Sequence, residues 1–423
     1  MKRIVSVLLC AIMLLSLVAC GTHEHTFDKT VQSQQYLKEA GCADKKAVYF
    51  YSCDCGEKGT ETFEGDFGAD HNYAARTTAA YFIEEATETT PAKYYYSCSS
   101  CGVKSKETFT HGKLNSERAA VGSKAKEALD GKKILIAGCS YNYYGKMVMR
   151  LENETTAESA RLNDMGYFYE LCKQNGAEVS VTNWCFGSHD LADLLGTSCA
   201  ADRACGNGFN HLAELTDFDY DYVSLLDIVR PEKLSMEAYI AELKSYMKLF
   251  TDVNPDCKFI YSIPCGAYWY KGERENPADM QEGVDYAAEI AKLDNMIVMD
   301  WGRLVYDLIK GNTTVPGSTF TYNEYSLKAG DNYHPNLLSG YIHSLMTYCV
   351  ITGETAVGQP TDLENGTEGD AAIMYKKDSY IINHYLNTGK ESNFIDIMDS
   401  ATEMEGIQKL IDRYIDMQTY LYY

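Results

Sequence analysis

The sequence predicts an α/β protein: a parallel sheet covered by helices on both faces, preceded by two small β-rich repeats. Three observations carry this. Between residues 131 and 358, short apolar runs closed by Gly or Pro alternate with amphipathic stretches of helical length. Residues 22–112 repeat themselves at a period of about 45. Of the 423 residues, 45% are apolar and 23% charged, which excludes a largely disordered chain. The net charge of −22 argues against nucleic acid as a partner, because phosphate binding needs a basic footprint.

Residues 1–19 read as a sorting signal. Met1-Lys2-Arg3 is basic, 4–18 is an apolar run, and Leu17-Val18-Ala19-Cys20 matches a bacterial lipoprotein box. The run is too short for a comfortable membrane span. Cleavage before Cys20 would leave an acylated N-terminal cysteine. The expectation is a membrane partner reached through a lipid anchor, on the extracytoplasmic face of the cell membrane. An ordinary secretory signal is the alternative. Cys10 would leave with the signal and Cys20 carry lipid, so 13 of the 15 cysteines remain. An odd number speaks against a pure disulfide framework. Cys139, Cys172, Cys257 and Cys349 lie in apolar patterns, where a thiol acts as a small buried hydrophobe.

Residues 20–112 hold the two repeats. Ala47-Val48-Tyr49-Phe50-Tyr51-Ser52-Cys53 returns as Ala92-Lys93-Tyr94-Tyr95-Tyr96-Ser97-Cys98, and Glu61-Thr62-Phe63 returns as Glu107-Thr108-Phe109. Tyr36-Leu37 matches Tyr81-Phe82, and His25 roughly matches His71. Units this small rarely hold a core without a staple. Cys98-Ser99-Ser100-Cys101-Gly102 is a knuckle of the kind that binds zinc, and His71 and His111 could complete a site. In the first copy the candidates are His25, Cys42, Cys53 and Cys55, although Cys53-Asp54-Cys55 is one residue short of a knuckle and Cys42 faces Thr87. Zinc, disulfides and degenerate sites that bind nothing are all open readings. The segment resembles small Cys/His-containing repeats of surface proteins in gut Firmicutes, which implies a stalk or adhesion module.

Residues 113–130 are a polar join with an amphipathic stretch. In 131–358, strands are expected at 132–138, 179–181, 221–226, 258–263 and 296–300, with helices at about 157–175, 235–250, 279–294 and 335–352. In a parallel sheet of this kind, ligands sit at the carboxyl ends of the strands. Residues 359–423 form a C-terminal extension with helical spacing at 372–386 and 401–421.

The first strand ends in Gly138-Cys139-Ser140-Tyr141-Asn142, and Gly330-Asp331-Asn332-Tyr333-His334-Pro335 stands before the last helix of the domain. A Ser straight after strand one, with Asp-x-x-His before the closing helix, resembles the SGNH (GDSL-like) hydrolase superfamily over about 220 residues. The resemblance implies a flavodoxin-like, three-layer fold. It makes Ser140 the nucleophile, His334 its general base and Asp331 the residue that orients the imidazole. It also places one oxyanion-hole donor at Gly187, beside the Ser140 backbone N–H. The family's Gly-x-Asn after strand three is missing; Asp227 stands there, and a carboxylate would repel an oxyanion. Losing one donor costs about 10²–10³ in rate. A divergent branch that also lacks this Asn and shares an Asp-x-x-His-Pro ending is the nearest in pattern.

Each of these residues also has a plain structural use: Ser140 as a helix cap, Asp331 and His334 as turn residues. His189, Asp190 and His211 read as rim residues. Trp184, Tyr141, Tyr143, Tyr144, Tyr268, Trp269 and Tyr270 are candidates either for a sugar-binding rim or for packing. The stretch from Gly138 to Gly145-Lys146 is no phosphate loop, having two residues too many and Met147 where a Mg²⁺ ligand belongs. The sequence thus leads to a lipid-anchored, extracytoplasmic serine esterase that removes O-acyl groups, O-acetyl preferred, from a glycan without a catalytic cofactor. A catalytically inactive carbohydrate-binding or adhesion lipoprotein on the same fold is the rival.

Overall fold

A computed structural model describes residues 25–148, 161–162, 164–187, 191–195, 212, 215–227, 235–264, 286–329, 334–363 and 393–422. It divides into two compact units, Met1–Arg76 with Tyr95–Phe109, and Thr77–Tyr94 with Thr110–Tyr423.

In the first unit, β1 (Leu37–Glu39), β2 (Lys46–Ser52) and β3 (Lys58–Phe67) form an antiparallel sheet in chain order. β4 (Tyr73–Ala74) also belongs to this unit, β5 (Phe82–Glu84) belongs to the second, and β6 (Ala92–Cys98) and β7 (Lys104–His111) each have residues in both. The repeat is physical as well as textual. A 3₁₀ turn at Gln34–Tyr36 returns at Ala79–Tyr81, and β1, β2 and β3 return as β5, β6 and β7. Aromatic pairs across neighbouring strands recur too, with Tyr51 on Phe63 at 5.0 Å and Tyr96 on Phe109 at 4.9 Å. The buried apolar residues of this unit are Tyr36, Cys42, Ala47, Cys53 and Cys98, among the described residues. That is a thin core, and three of its five members are cysteines.

The second unit is built on a six-stranded sheet. Helix α1 (Ala125–Leu129) leads into β8 (Lys133–Cys139) and α2 (Ser140–Tyr144). β9 (Arg161–Leu162), α3 (Tyr167–Gln174), β10 (Ser180–Phe186), α4 (Leu191–Leu195) and β11 (Tyr222–Leu226) follow. Then come α5 (Met236–Thr251), β12 (Lys258–Ser262), β13 (Met296–Met299) and α6 (Trp301–Ile309). The chain closes with α7 (Glu324–Leu327), α8 (Leu337–Thr352), α9 (Phe394–Met398) and α10 (Ala401–Tyr422).

The strand order is β13-β12-β11-β8-β10-β9, parallel except for β9 at the edge. Reading only the parallel strands gives the doubly wound, flavodoxin-like order, with its switch point between β8 and β11. Ile134, Leu135, Ile136 and Ala137 of β8 are all buried, as a central strand covered on both faces requires. Of the helices that connect the strands, α3 packs with α8, and α4 packs with α5. Registers Cys185↔Gly138 and Leu226↔Gly138 bring three strand ends level, so Ser140, Gly187 and Asp227 leave the sheet at one edge.

Two expectations need correction. The helix expected over 157–175 runs only over Tyr167–Gln174 among the described residues, because Arg161–Leu162 pairs with β10 and Gly166 breaks the backbone at φ 95°. A Cβ at Gly166 would run into the Met147 carbonyl oxygen. Trp184 is not a rim residue: it is fully buried and stacks on Tyr246 at 6.4 Å. The helix expected at 279–294 is described only from 286, where 286–290 are helical, and the stretch 372–386 lies outside the described residues. The expected 401–421 helix is α10, which buries Met404, Ile407, Ile411 and Tyr414 on one face. No described helix is long and apolar enough to cross a membrane.

Candidate active site

Ser140 opens α2 directly from the end of β8, with Cys139 as the extended N-cap residue at φ −122°. Gly138, the last-but-one residue of β8, has φ 134°, and a Cβ there would run into the Leu226 carbonyl oxygen. The short helix is tied down from below. Asn142 is buried and donates from Nδ2 to the Ala137 carbonyl at 3.1 Å and to Cys185 Sγ at 3.2 Å. After it, Tyr167 N–H donates to the Lys146 carbonyl at 2.7 Å.

His334 comes from the opposite end of the domain. Lys328 and Pro335 form an antiparallel bridge, and the His334 carbonyl accepts from Ala329 N–H at 2.8 Å. Asn336 then caps α8, accepting from Ser339 N–H at 3.1 Å and donating to the Ser326 carbonyl at 2.9 Å. Helix α8 meets α2 at two glycines: a Cβ on Gly340 would occupy the place of the Gly145 carbonyl. That close approach sets the distance between the two ends of the site.

The outcome is a hydrogen-bonded pair. Ser140 Oγ lies 2.9 Å from His334 Nε2, across 194 residues of sequence. This is within the range for proton transfer from a nucleophilic hydroxyl to a general base. Ser140 is 7% exposed and His334 is half-buried. Tyr144 stacks on the His334 ring at 4.0 Å and 15°, and Tyr141 lies against it at 5.4 Å. Tyr141 and Tyr143 are buried, whereas Tyr144 is partly exposed beside the imidazole. The neighbouring Cys139 is no competing nucleophile, because burial pushes its thiol up to about 12.

Asp227 is a structural acceptor. It is 1% exposed and accepts from Leu191 N–H at 3.1 Å and from Tyr239 O–H at 2.7 Å, and Tyr239 in turn meets Tyr261 at 2.7 Å. The carboxylate expected to oppose an oxyanion therefore joins the end of β11 to the start of α4 and to α5. Gly187 follows β10 at the same sheet edge. Asp331, His189, Asp190, His211, Tyr268, Trp269, Tyr270 and Cys20 lie outside the described residues.

A second serine–histidine pair was not foreseen. Ser262 Oγ lies 2.8 Å from His343 Nε2 and accepts from Trp301 Nε1 at 3.0 Å, and Trp301 stacks on His343 at 4.8 Å. Both partners are within 1% of full burial, and burial pushes the His343 ring down to about 3. This pair is a core link between β12, α6 and α8. Asn142 was also missed as a site residue, whereas Tyr144, one of the aromatic rim candidates, does lie beside the imidazole. The Asn336 cap alone had a signal, an Asn just ahead of an apolar helical run.

The repeat residues regroup. Cys42 does not join His25, Cys53 and Cys55; it stands with His71, Cys98 and Cys101, all four ligand atoms within 4.8 Å of one another. His25, Cys53 and Cys55 make a separate group of three. His111 belongs to neither, since its Nε2 sits 3.2 Å from the Asp416 carbonyl oxygen. A cavity of about 490 Å³ lined by Glu85, Arg118, Arg413 and Asp416 shares no residue with the Ser140–His334 pair. Its charges pair internally, Arg118 with Asp416 at 2.6 Å and Arg413 with Glu85 at 2.9 Å.

No family model matches the chain, and no curated protein matches it. Solved structures do. A variant of an acetyl xylan esterase from Geobacillus stearothermophilus is 17% identical over 54% of this chain and 98% of its own, with a TM-score of 0.36. A proposed SGNH hydrolase from Slackia heliotrinireducens is 16% identical over 51% and 96%, at 0.30. A carbohydrate esterase family 2 enzyme with a carbohydrate-binding domain, from Corynascus thermopiles, is 13% identical over 53% and 66%, at 0.29.

Proposed function

We propose that the second unit is a serine esterase of SGNH type that removes O-acyl groups, acetyl first among them, from a glycan. The observation that carries this is the 2.9 Å contact between Ser140 Oγ and His334 Nε2 at the switch point of a doubly wound parallel sheet. In this reading His334 takes the Ser140 proton as Oγ attacks the ester carbonyl. The backbone N–H groups of Ser140 and Gly187 receive the developing oxyanion. Collapse expels the sugar hydroxyl, protonated by His334, and leaves an acyl-serine. Water, deprotonated by the same imidazole, then releases the acid. Asp331, three residues before His334, would hold the other ring nitrogen. The partly exposed Tyr144 ring beside His334 supplies an aromatic surface of the kind that suits a sugar face. Acylation of Cys20 would hold the enzyme on the extracytoplasmic face of the membrane.

The full chain, offered a panel of short-chain nitrophenyl esters and a fluorophosphonate probe, tests the reading. Ser140 should carry the label, and Ser140→Ala and His334→Ala should each lower hydrolysis by at least about 10³-fold. Asp331→Asn should cut the rate by less than either. The absence of the family's Asn at position 227 favours one rival, a glycan-binding lipoprotein without turnover. Glycan binding by a folded chain that neither hydrolyses any ester nor takes the label would establish that rival. Incorporation of labelled palmitate by Cys20→Ser would refute the anchor.

A further inference from the structure

We propose that Cys42, His71, Cys98 and Cys101 form a structural zinc site that fastens the first repeat to the knuckle of the second. All four ligand atoms lie within 4.8 Å of one another, and all four residues belong to the first compact unit. Three sulfurs and one imidazole nitrogen are the donor set of a closed, tetrahedral structural site. With Zn–S near 2.3 Å, the edges of such a tetrahedron are about 3.8 Å. The Cys101 Sγ to His71 Nδ1 distance is already 3.5 Å.

The surrounding backbone is shaped for the ion. Cys98 N–H donates to the Val103 carbonyl at 2.9 Å and Gly102 N–H to the Cys98 carbonyl at 2.9 Å, which closes the knuckle on Gly102 at φ 75°. Cys42 sits in a turn of its own, exchanging backbone bonds with Lys45 at 2.7 and 3.2 Å. Gly68 N–H holds the Cys42 carbonyl at 3.0 Å, and a Cβ on Gly68 would press on the Cys42 backbone. The same turn supplies Asp44, whose Oδ2 lies 3.4 Å from His71 Nε2. A carboxylate on the far nitrogen of a ligating histidine fixes its tautomer and aim, leaving Nδ1 for the metal.

Two alternatives fit less well. A disulfide would use two of the three thiols and strand the third beside a histidine. An apolar cluster is no substitute either, since the described core of this unit is five residues, three of them cysteines. A metal supplies the folding energy that such a core lacks. As Zn²⁺ binds, the three thiols ionise and release their protons, so the site carries one net negative charge. The fourth ligand crosses from one copy to the other, because Thr87 stands in the second copy where Cys42 stands in the first. The group of His25, Cys53 and Cys55 is not part of this proposal. Its two sulfurs are 2.7 Å apart, well inside a zinc tetrahedron's edge.

The full chain, purified without chelator, is assayed for zinc and then exchanged with Co²⁺. The expected result is bound zinc, with about one ion per chain lost in Cys42→Ser and none of that ion lost in Cys55→Ser. The cobalt form of Cys55→Ser should show thiolate-to-metal charge transfer and the intense d–d bands of a tetrahedral site. Asp44→Asn, which removes no ligand, should release zinc to a chelator about 10- to 100-fold more readily. This variant keeps the test decisive if Cys42→Ser does not fold. Wild-type zinc content in Cys42→Ser would overturn the proposal. So would a folded, metal-free chain with Cys98 and Cys101 joined in a disulfide. Both readouts are independent of ester hydrolysis.

Discussion

Burial separates the two serine–histidine pairs found among the described residues. Ser140–His334 and Ser262–His343 have nearly the same length, 2.9 and 2.8 Å, yet only the first includes a half-buried ring at a sheet edge. Ser262→Ala should therefore leave fluorophosphonate labelling of Ser140 intact. It should cost about 1–3 kcal/mol of stability, because Trp301 Nε1 loses its acceptor. Labelling that disappears in Ser262→Ala while the fold survives would contradict this assignment. Tyr144 acts on the outer pair through contact with His334. Tyr144→Ala should lower kcat/KM by about 10-fold through a mispositioned imidazole, with the denaturation midpoint nearly unchanged. An unaltered kcat/KM would show that the ring merely covers the site. Gly138 has no such latitude. At φ 134° and against the Leu226 carbonyl, Gly138→Ala should lose more than about 3 kcal/mol, read as a drop in the urea midpoint.

At the scale of elements, what could be read from the sequence was what is local. The run Ile134-Leu135-Ile136-Ala137 declares a buried strand, the Ser after it a strand-to-helix turn, and Asn336 a helix start. Distance hid the rest. Asp227 reads as a harmful charge until Tyr239 and Leu191, 12 and 36 residues away, are seen to donate to it. Cys42 reads as a ligand of its own copy, because the repeat suggests that each copy is closed, whereas its turn meets the other copy's knuckle. The two-residue strand β9 is too short for any periodicity, and the apolar spacing around it suits a helix equally well. Asp227 also gives this scale its prediction. Asp227→Ala leaves a buried hydroxyl and the first N–H of α4 without their acceptor, which should cost about 2–4 kcal/mol in urea denaturation. A variant as stable as the wild type would mean that both donors find other partners.

Acid should loosen the molecule as a whole through one histidine. His343 lies on α8 against Ser262 of β12 and Trp301 of α6, so its environment exists only when sheet and helices are assembled. Burial pushes its ring down to about 3, whereas in the unfolded chain it keeps the ordinary value near about 6.5. Between those limits the unfolded chain binds a proton that the folded chain refuses. Stability from this group therefore falls as pH drops from about 6.5 towards 3, by up to about 1.4 kcal/mol per pH unit, and is unaffected above that window. Buried carboxyls such as Glu85 and Asp416 work in the other direction, since burial raises them and the folded chain then takes up protons first. Comparison with a variant cancels these shared groups. Urea denaturation of wild type and His343→Gln at pH 7, 6, 5 and 4 should give curves whose stabilities converge on acidification. The wild type should lose about 1 kcal/mol more per unit than the variant below pH 6. Parallel losses across the series would show that His343 takes up its proton in the folded state.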